Sequence, residues 1–85
     1  LKYIQKNLRV PERATSLNVN GTVMISFVVN TSGKIEDARI VRSVEYSADQ
    51  EALRVVTSSP DWIPAEENGR KVKAYRIQPI TINID

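Results

Sequence analysis

Histidine and cysteine are both missing from this 85-residue sequence. Their absence excludes thiol nucleophiles, disulfides, zinc sites of the usual Cys/His kind and imidazole acid–base catalysis. It leaves the redox compartment open, because a thiol-free domain suits reducing and oxidising spaces alike. Long apolar runs are lacking too. Nothing approaches the roughly 20 consecutive apolar residues of a membrane-spanning helix, and no signal peptide is visible. The chain opens on Leu1 instead of methionine, so it is expected to be a fragment of a longer protein that could carry such segments upstream. Charge of one sign is also scarce. Twelve Lys/Arg against ten Asp/Glu leave +2, with the signs mixed along the chain. That argues against a nucleic-acid partner, which normally needs a one-sided basic patch.

What is present suits one small folded domain. Hydrophobic content of 41 % and charged content of 26 % are ordinary for a globular chain and unlike disorder. Leu1, Ile4 and Leu8 stand at helical spacing in a short lead-in, and Pro11 suits the first turn of a helix over ERATSL, ending near Asn18–Asn20 and Gly21. In GTVMISFVV, residues 21 to 29, Val23, Ile25, Phe27 and Val29 alternate on one face, the pattern of a half-buried strand. NTSG turns the chain at Gly33, and KIEDARIVRSV returns it with a break in alternation at Glu36–Ala38 that predicts a β-bulge or a strong twist. YSADQEALRVVTSS predicts a helix packed through Ala48, Ala52, Val55 and Val56, with Ser47 as N-cap and Gln50 at capping-box spacing. Pro60 stops it.

From Arg70 onward RKVKAYRIQPITINID predicts one last strand, in which Ile80, Ile82 and Ile84 alternate. Pro79 cannot donate a ladder hydrogen bond, which confines it to a sheet edge or a bulge, and the edge is the expected place for this strand. Lys71, Lys73 and Arg76 are charges of the kind that discourage edge-to-edge pairing. The lone Trp62, bracketed by Pro60 and Pro64, is read as a large ring that anchors a chain crossing, and Asn68-Gly69 as the turn into the last strand. The expected fold is α+β: a three-stranded antiparallel sheet with two helices on one face, ordered helix–strand–strand–helix–strand, and the apolar first strand central.

No carboxylates pair for catalysis. Asp49 and Glu51 are two apart and diverge on a helix, Asp49 complements the helix dipole, and Glu66-Glu67 are loop charges. Neither a catalytic residue, a metal nor a cofactor is expected. An RNA or DNA platform would need exposed aromatics on the strands, and Phe27 stands on the buried face.

In order, VPERA (10–14), GTVMISFVVNTSGKI (21–35), RIVRS (39–43), DQEALRVV (49–56), PDWIP (60–64), NGRKV (68–72) and IQPITINI (77–84) resemble the C-terminal domain of TonB-type energy transducers. The DxEA helix, Pro-x-Trp-x-Pro, Asn-Gly and late proline resemble the Bacteroidetes-type branch most. Val10-Pro11 replaces the Tyr-Pro common in the family, which removes an aromatic contact at the helix start. The resemblance implies a periplasmic domain carried by a missing inner-membrane anchor and proline-rich spacer. It also implies coupling to a proton-driven motor complex and a grip on the TonB box of outer-membrane receptors. A related reading is a TonB-like domain of a membrane-bound sensor or peptidase, binding a protein partner without force transmission.

The edge strand suits such a grip, since its free N–H and C=O groups can pair with an extended peptide. The backbone from Lys73 through Ala74, Tyr75, Arg76, Ile77 and Gln78 to Ile80 and Ile82 is the expected pairing surface, with Tyr75 and Arg76 as reading side chains. The plainer alternative leaves the strand as ordinary sheet with those two side chains solvated. Asn7 and Arg9 lie where the family often makes a second peptide contact, although a solvated lead-in explains them more simply. The same open edge would allow a strand-swapped homodimer.

Overall fold

Alternation in the first strand decides the architecture. Val23, Ile25, Phe27 and Val29 bury one face of β1 (Gly21–Val29), and everything else is arranged to cover it. The computed structural model describes residues 2–83; Leu1 and Ile84, which the sequence pattern assigns to the first helix and last strand, lie outside the described residues. Element order is α1 (Lys2–Asn7), α2 (Glu12–Ser16), β1, β2 (Ile35–Arg42), α3 (Tyr46–Thr57), β3 (Ala65–Glu67), β4 (Arg70–Val72) and β5 (Ala74–Ile82). The main sheet is antiparallel in the order β2-β1-β5, which puts β1 in the centre and β5 at an edge. The expected α+β sheet is therefore present, with the N-terminal helical part in two short pieces.

The β1–β2 pairing slips where the sequence loses its alternation. Val28 faces Glu36 but Ser26 faces Arg39, and Asp37 takes up a left-handed φ of 53° to absorb the extra residue. A second slip lies between Met24 and Ile25. At the other end of the hairpin Gly33 has φ 84°. Its carbonyl accepts the Trp62 N–H at 2.9 Å, so the turn also docks the chain that follows α3.

The α3 cap differs from the sequence expectation. Ser47 lies inside the first turn and Glu45 is the N-cap, its carboxylate accepting from the Ser47 and Ala48 N–H groups. The Glu45 side chain carries its oxygens two atoms further out than a serine hydroxyl and can span both donors, and its charge suits the positive helix end. Asp49 is also more than a dipole partner. It is buried and accepts from Ser43 Oγ and the Val44 and Glu45 N–H groups, closing the loop that leads from β2 into α3.

The last strand is not continuous. β4 folds back on β3 as a separate two-stranded hairpin, turned by Asn68 and Gly69 at φ 53° and 76°, the backbone that tight hairpins require. Lys71, expected to guard the sheet edge, instead lies opposite Glu66 in that hairpin. In the register of that hairpin Glu66 lies opposite Lys71 and Glu67 opposite Arg70, so each acidic residue of β3 stands across from a basic residue of β4, an arrangement that favours the pairing.

Candidate functional site

β5 pairs with β1 along its whole length, from Val29↔Ala74 to Gly21↔Ile82, and among the described residues no strand pairs with its other side. Nine residues of strand give an edge about 30 Å long. Alternation then sorts its side chains. Ala74, Arg76, Gln78, Ile80 and Ile82 lie on the helix-covered face opposite Val29, Phe27, Ile25, Val23 and Gly21. Tyr75, Ile77, Pro79 and Thr81 lie on the uncovered face.

The sequence-predicted residues thus fall into distinct settings. Lys73 sits at the junction before β5 and its ammonium meets Glu36 at 3.1 Å. The Glu36 carboxyl is lowered below its usual range by the Asn30 amide and then by Lys73. Ile80 and Ile82 are fully buried core side chains opposite Val23 and Gly21 of β1, so their side chains are closed to a partner. Gln78 is half-buried and donates to the Pro79 carbonyl. Tyr75 and Ile77 are 66 % and 49 % exposed on the outer face, whereas the exposed Arg76 projects on the inner one. The two expected reading side chains therefore face opposite sides of the sheet.

Asn7 and Arg9 are tied to α3. The Asn7 carbonyl accepts from Arg54 at 3.0 Å and the Arg9 N–H donates to Glu51 at 2.7 Å. Glu51 itself holds Arg54 at 2.7 Å, and this pairing lowers the Glu51 carboxyl and raises the Arg54 guanidinium. Among the described residues no hydrogen bond joins Asn7 or Arg9 to β5.

Beside β5 lies a feature that sequence reading missed, an open cleft of about 420 Å³ lined by Tyr3, Ile4, Ser59, Pro60, Asp61, Trp62, Ile63 and Arg76. Its origin is a gap in coverage. α3 packs over β1 and β2, so the inner side of β5 is left to α1 and the chain after α3. Tyr3 ties α1 down by donating from its hydroxyl to the Ser58 carbonyl at 3.0 Å. Trp62 anchors the other wall as the sequence predicts: its ring meets Phe27 edge-on at 5.0 Å and its Nε1–H donates to Ser59 Oγ at 2.8 Å. It serves two roles, since the same ring also lines the cleft. Ile63, next to it, is 87 % exposed. The signal in the sequence was the pair of adjacent large apolar residues Trp62-Ile63 in a proline-bracketed loop, more apolar surface than one anchor needs.

Among the described residues no group of three or more acidic, His or Cys side chains could hold a metal ion, and no buried polar side-chain atom lacks a partner. Glu66 and Glu67 face Lys71 and Arg70 across β3–β4. Glu45, whose carboxyl is lowered to about 2 by hydrogen bonds from Ser47 and Ala48 and by Arg13, serves the α3 cap. No described helix is long and apolar enough to cross a membrane.

The model of one protein family, Gram-negative bacterial TonB protein C-terminal, matches residues 6–84. No curated protein matches the sequence. Two solved structures similar in fold are a longer and a shorter form of the Helicobacter pylori TonB C-terminal domain, both determined in solution by NMR. The longer is 22 % identical with a TM-score of 0.79, over 99 % of this chain and 76 % of the other. The shorter is 23 % identical with a TM-score of 0.73, over 98 % of this chain and 87 % of the other.

Proposed function

The chain belongs to the TonB C-terminal family, and from that premise we propose that it is the periplasmic receptor-gripping domain of a TonB-type energy transducer. An upstream segment would anchor it to the inner membrane and couple it to a proton-driven motor. The domain itself binds the extended TonB box of an outer-membrane receptor by strand addition to β5, and passes on force without catalysing a reaction.

The observation that carries this reading is the open side of β5, a full-length strand paired on one flank only. Each backbone hydrogen bond gained there is worth roughly 0.5–1.5 kcal/mol net. Four or five, less the cost of ordering a flexible peptide, give a modest affinity, which suits a grip made and released repeatedly. Backbone pairing also tolerates varied peptide sequences, as one transducer serving several receptors requires.

The test is a titration of ¹⁵N-labelled domain with peptides from receptor plug N-termini. Saturable amide shifts concentrated along residues 73–82, much weaker with scrambled peptides, are expected. Shifts confined to α3, or none at millimolar peptide, would remove strand addition at this edge from consideration.

A further inference from the structure

We infer, resting on the strand-addition reading above, that the cleft beside β5 selects which peptide is gripped: it takes one large apolar side chain of the added strand, while Arg76 pairs with a carboxylate two residues away on the same face. The register follows from alternation. A strand laid against the free side of β5 has one residue directly opposite Arg76, and that residue's side chain points to the inner face, where Arg76 lines the cleft. Its neighbours at plus and minus two also point inward, opposite Ala74 and Gln78, at a diagonal distance that long side chains bridge.

The walls set the preference for an apolar group. Ile4, Pro60, Trp62 and Ile63 supply hydrocarbon and aromatic surface on two sides, and Ile63 leaves most of its side chain in water until something covers it. The volume of about 420 Å³ accepts any apolar side chain. Along β5 the inner face changes from buried at Ile80 and Ile82 to half-buried at Gln78 and exposed at Arg76, so the opening lies where a partner can fill it.

Charge sets the second requirement. The other ions near this end of β5 are already matched: Lys73 meets Glu36 at 3.1 Å, and Asp61, on the cleft wall, meets Lys34 at 2.6 Å. Among the described residues Arg76 has no ion pair. A carboxylate on the incoming strand completes the pattern, whereas a second cation there would meet Arg76 unopposed. The partner is accordingly an extended acidic-apolar segment, with the acid and the large apolar residue spaced i, i+2.

Trp62 makes the inference measurable, because the chain's only indole lines the cleft. Nine-residue peptides of alternating Thr and variable residues would be titrated into the labelled domain, following β5 amides, the Trp62 indole N–H and Trp62 fluorescence together. With Leu at the inner position, Trp62 is expected to respond in step with β5. Replacing that Leu by Ala should weaken binding about tenfold, for a side chain buried in an open cleft. Replacing the neighbouring Glu by Gln should weaken it about threefold to fivefold, the range of an exposed ion pair, and should have no effect on an Arg76→Gln chain. β5 shifts with a silent Trp62 and equal affinity for Leu and Ala would overturn the selecting role while leaving strand addition intact. A Trp62 response without β5 shifts would overturn the inference as well. No β5 shift with any peptide would sink strand addition, and the cleft's role with it.

Discussion

Gly33 carries two demands that no other residue meets. Its φ of 84° lies in the left-handed region, and a Cβ there would stand 2.3 Å from the Trp62 carbonyl oxygen. Gly33→Ala should therefore push the Trp62 segment off the hairpin as well as strain the turn. A loss of about 2 kcal/mol or more is expected, read as a lower denaturant midpoint and a shifted Trp62 emission. Glu45 makes a second residue-scale prediction, for pH. Its carboxyl is lowered from 4.5 to about 2 in the folded chain. Its contribution is fully present above the unfolded value and is lost as pH falls through the folded one. Glu36 and Glu51 are lowered as well and act in the same direction. Stability should decline between about pH 5 and pH 2, and Glu45→Gln should flatten that decline while lowering stability at neutral pH. Urea unfolding at a series of pH values checks both.

β5 and α1 carry the predictions at the scale of elements. Pro79 fits an edge strand where its missing N–H faces away from the partner strand, which leaves the alternate residues Tyr75, Ile77 and Thr81 to donate to an incoming chain. A bound peptide must then use alternate amides in turn. Methylating one alternate set of peptide N–H groups should abolish binding, and methylating the other set should leave it nearly unchanged; equal losses from both sets would argue against a strand. α1 has only six residues, too few to be stable alone, and is held through Tyr3–Ser58, Arg54–Asn7 and Glu51–Arg9. Glu51→Gln, which removes the ion pair with Arg54, should cost about 1 kcal/mol. The Leu8 amide, bonded to the Ile4 carbonyl, should exchange faster in hydrogen–deuterium measurements. Because Tyr3 and Ile4 form one wall of the cleft, the same variant should weaken binding of the Leu peptide more than of the Ala peptide.

At the scale of the whole molecule the balanced charge matters more than any one ion pair. A net +2 with mixed signs gives little long-range steering, so association should be nearly independent of salt beyond the Debye length. Stopped-flow Trp62 fluorescence with an acidic peptide should show less than about a fivefold fall in on-rate between 20 mM and 0.5 M salt. A steep dependence would point to a phosphate-rich or strongly charged partner instead.

The sequence by itself determined the parts whose cause is local. Alternation in 21–29 dictated a half-buried strand, Pro79 with its charged neighbours an edge, Pro60 the region where α3 ends, and the lost period at Glu36–Ala38 a bulge or strong twist, of which the structure has the bulge. The ordered motifs pointed to the family, and the backbone of 73–82 to the candidate surface. What tertiary structure decided depends on groups far apart in the chain. The N-cap passed from Ser47 to Glu45 because a longer carboxylate could reach both free N–H groups and Arg13 as well. The last strand broke at Lys73 because residues 65–67 and 70–72 pair as strands across the Asn68-Gly69 turn, a pairing that periodicity within one strand does not register. The cleft was invisible for the same reason: Tyr3 lies far from Trp62 and Arg76 in the chain, and only the packing of α3 over β1 and β2 leaves a space where they meet.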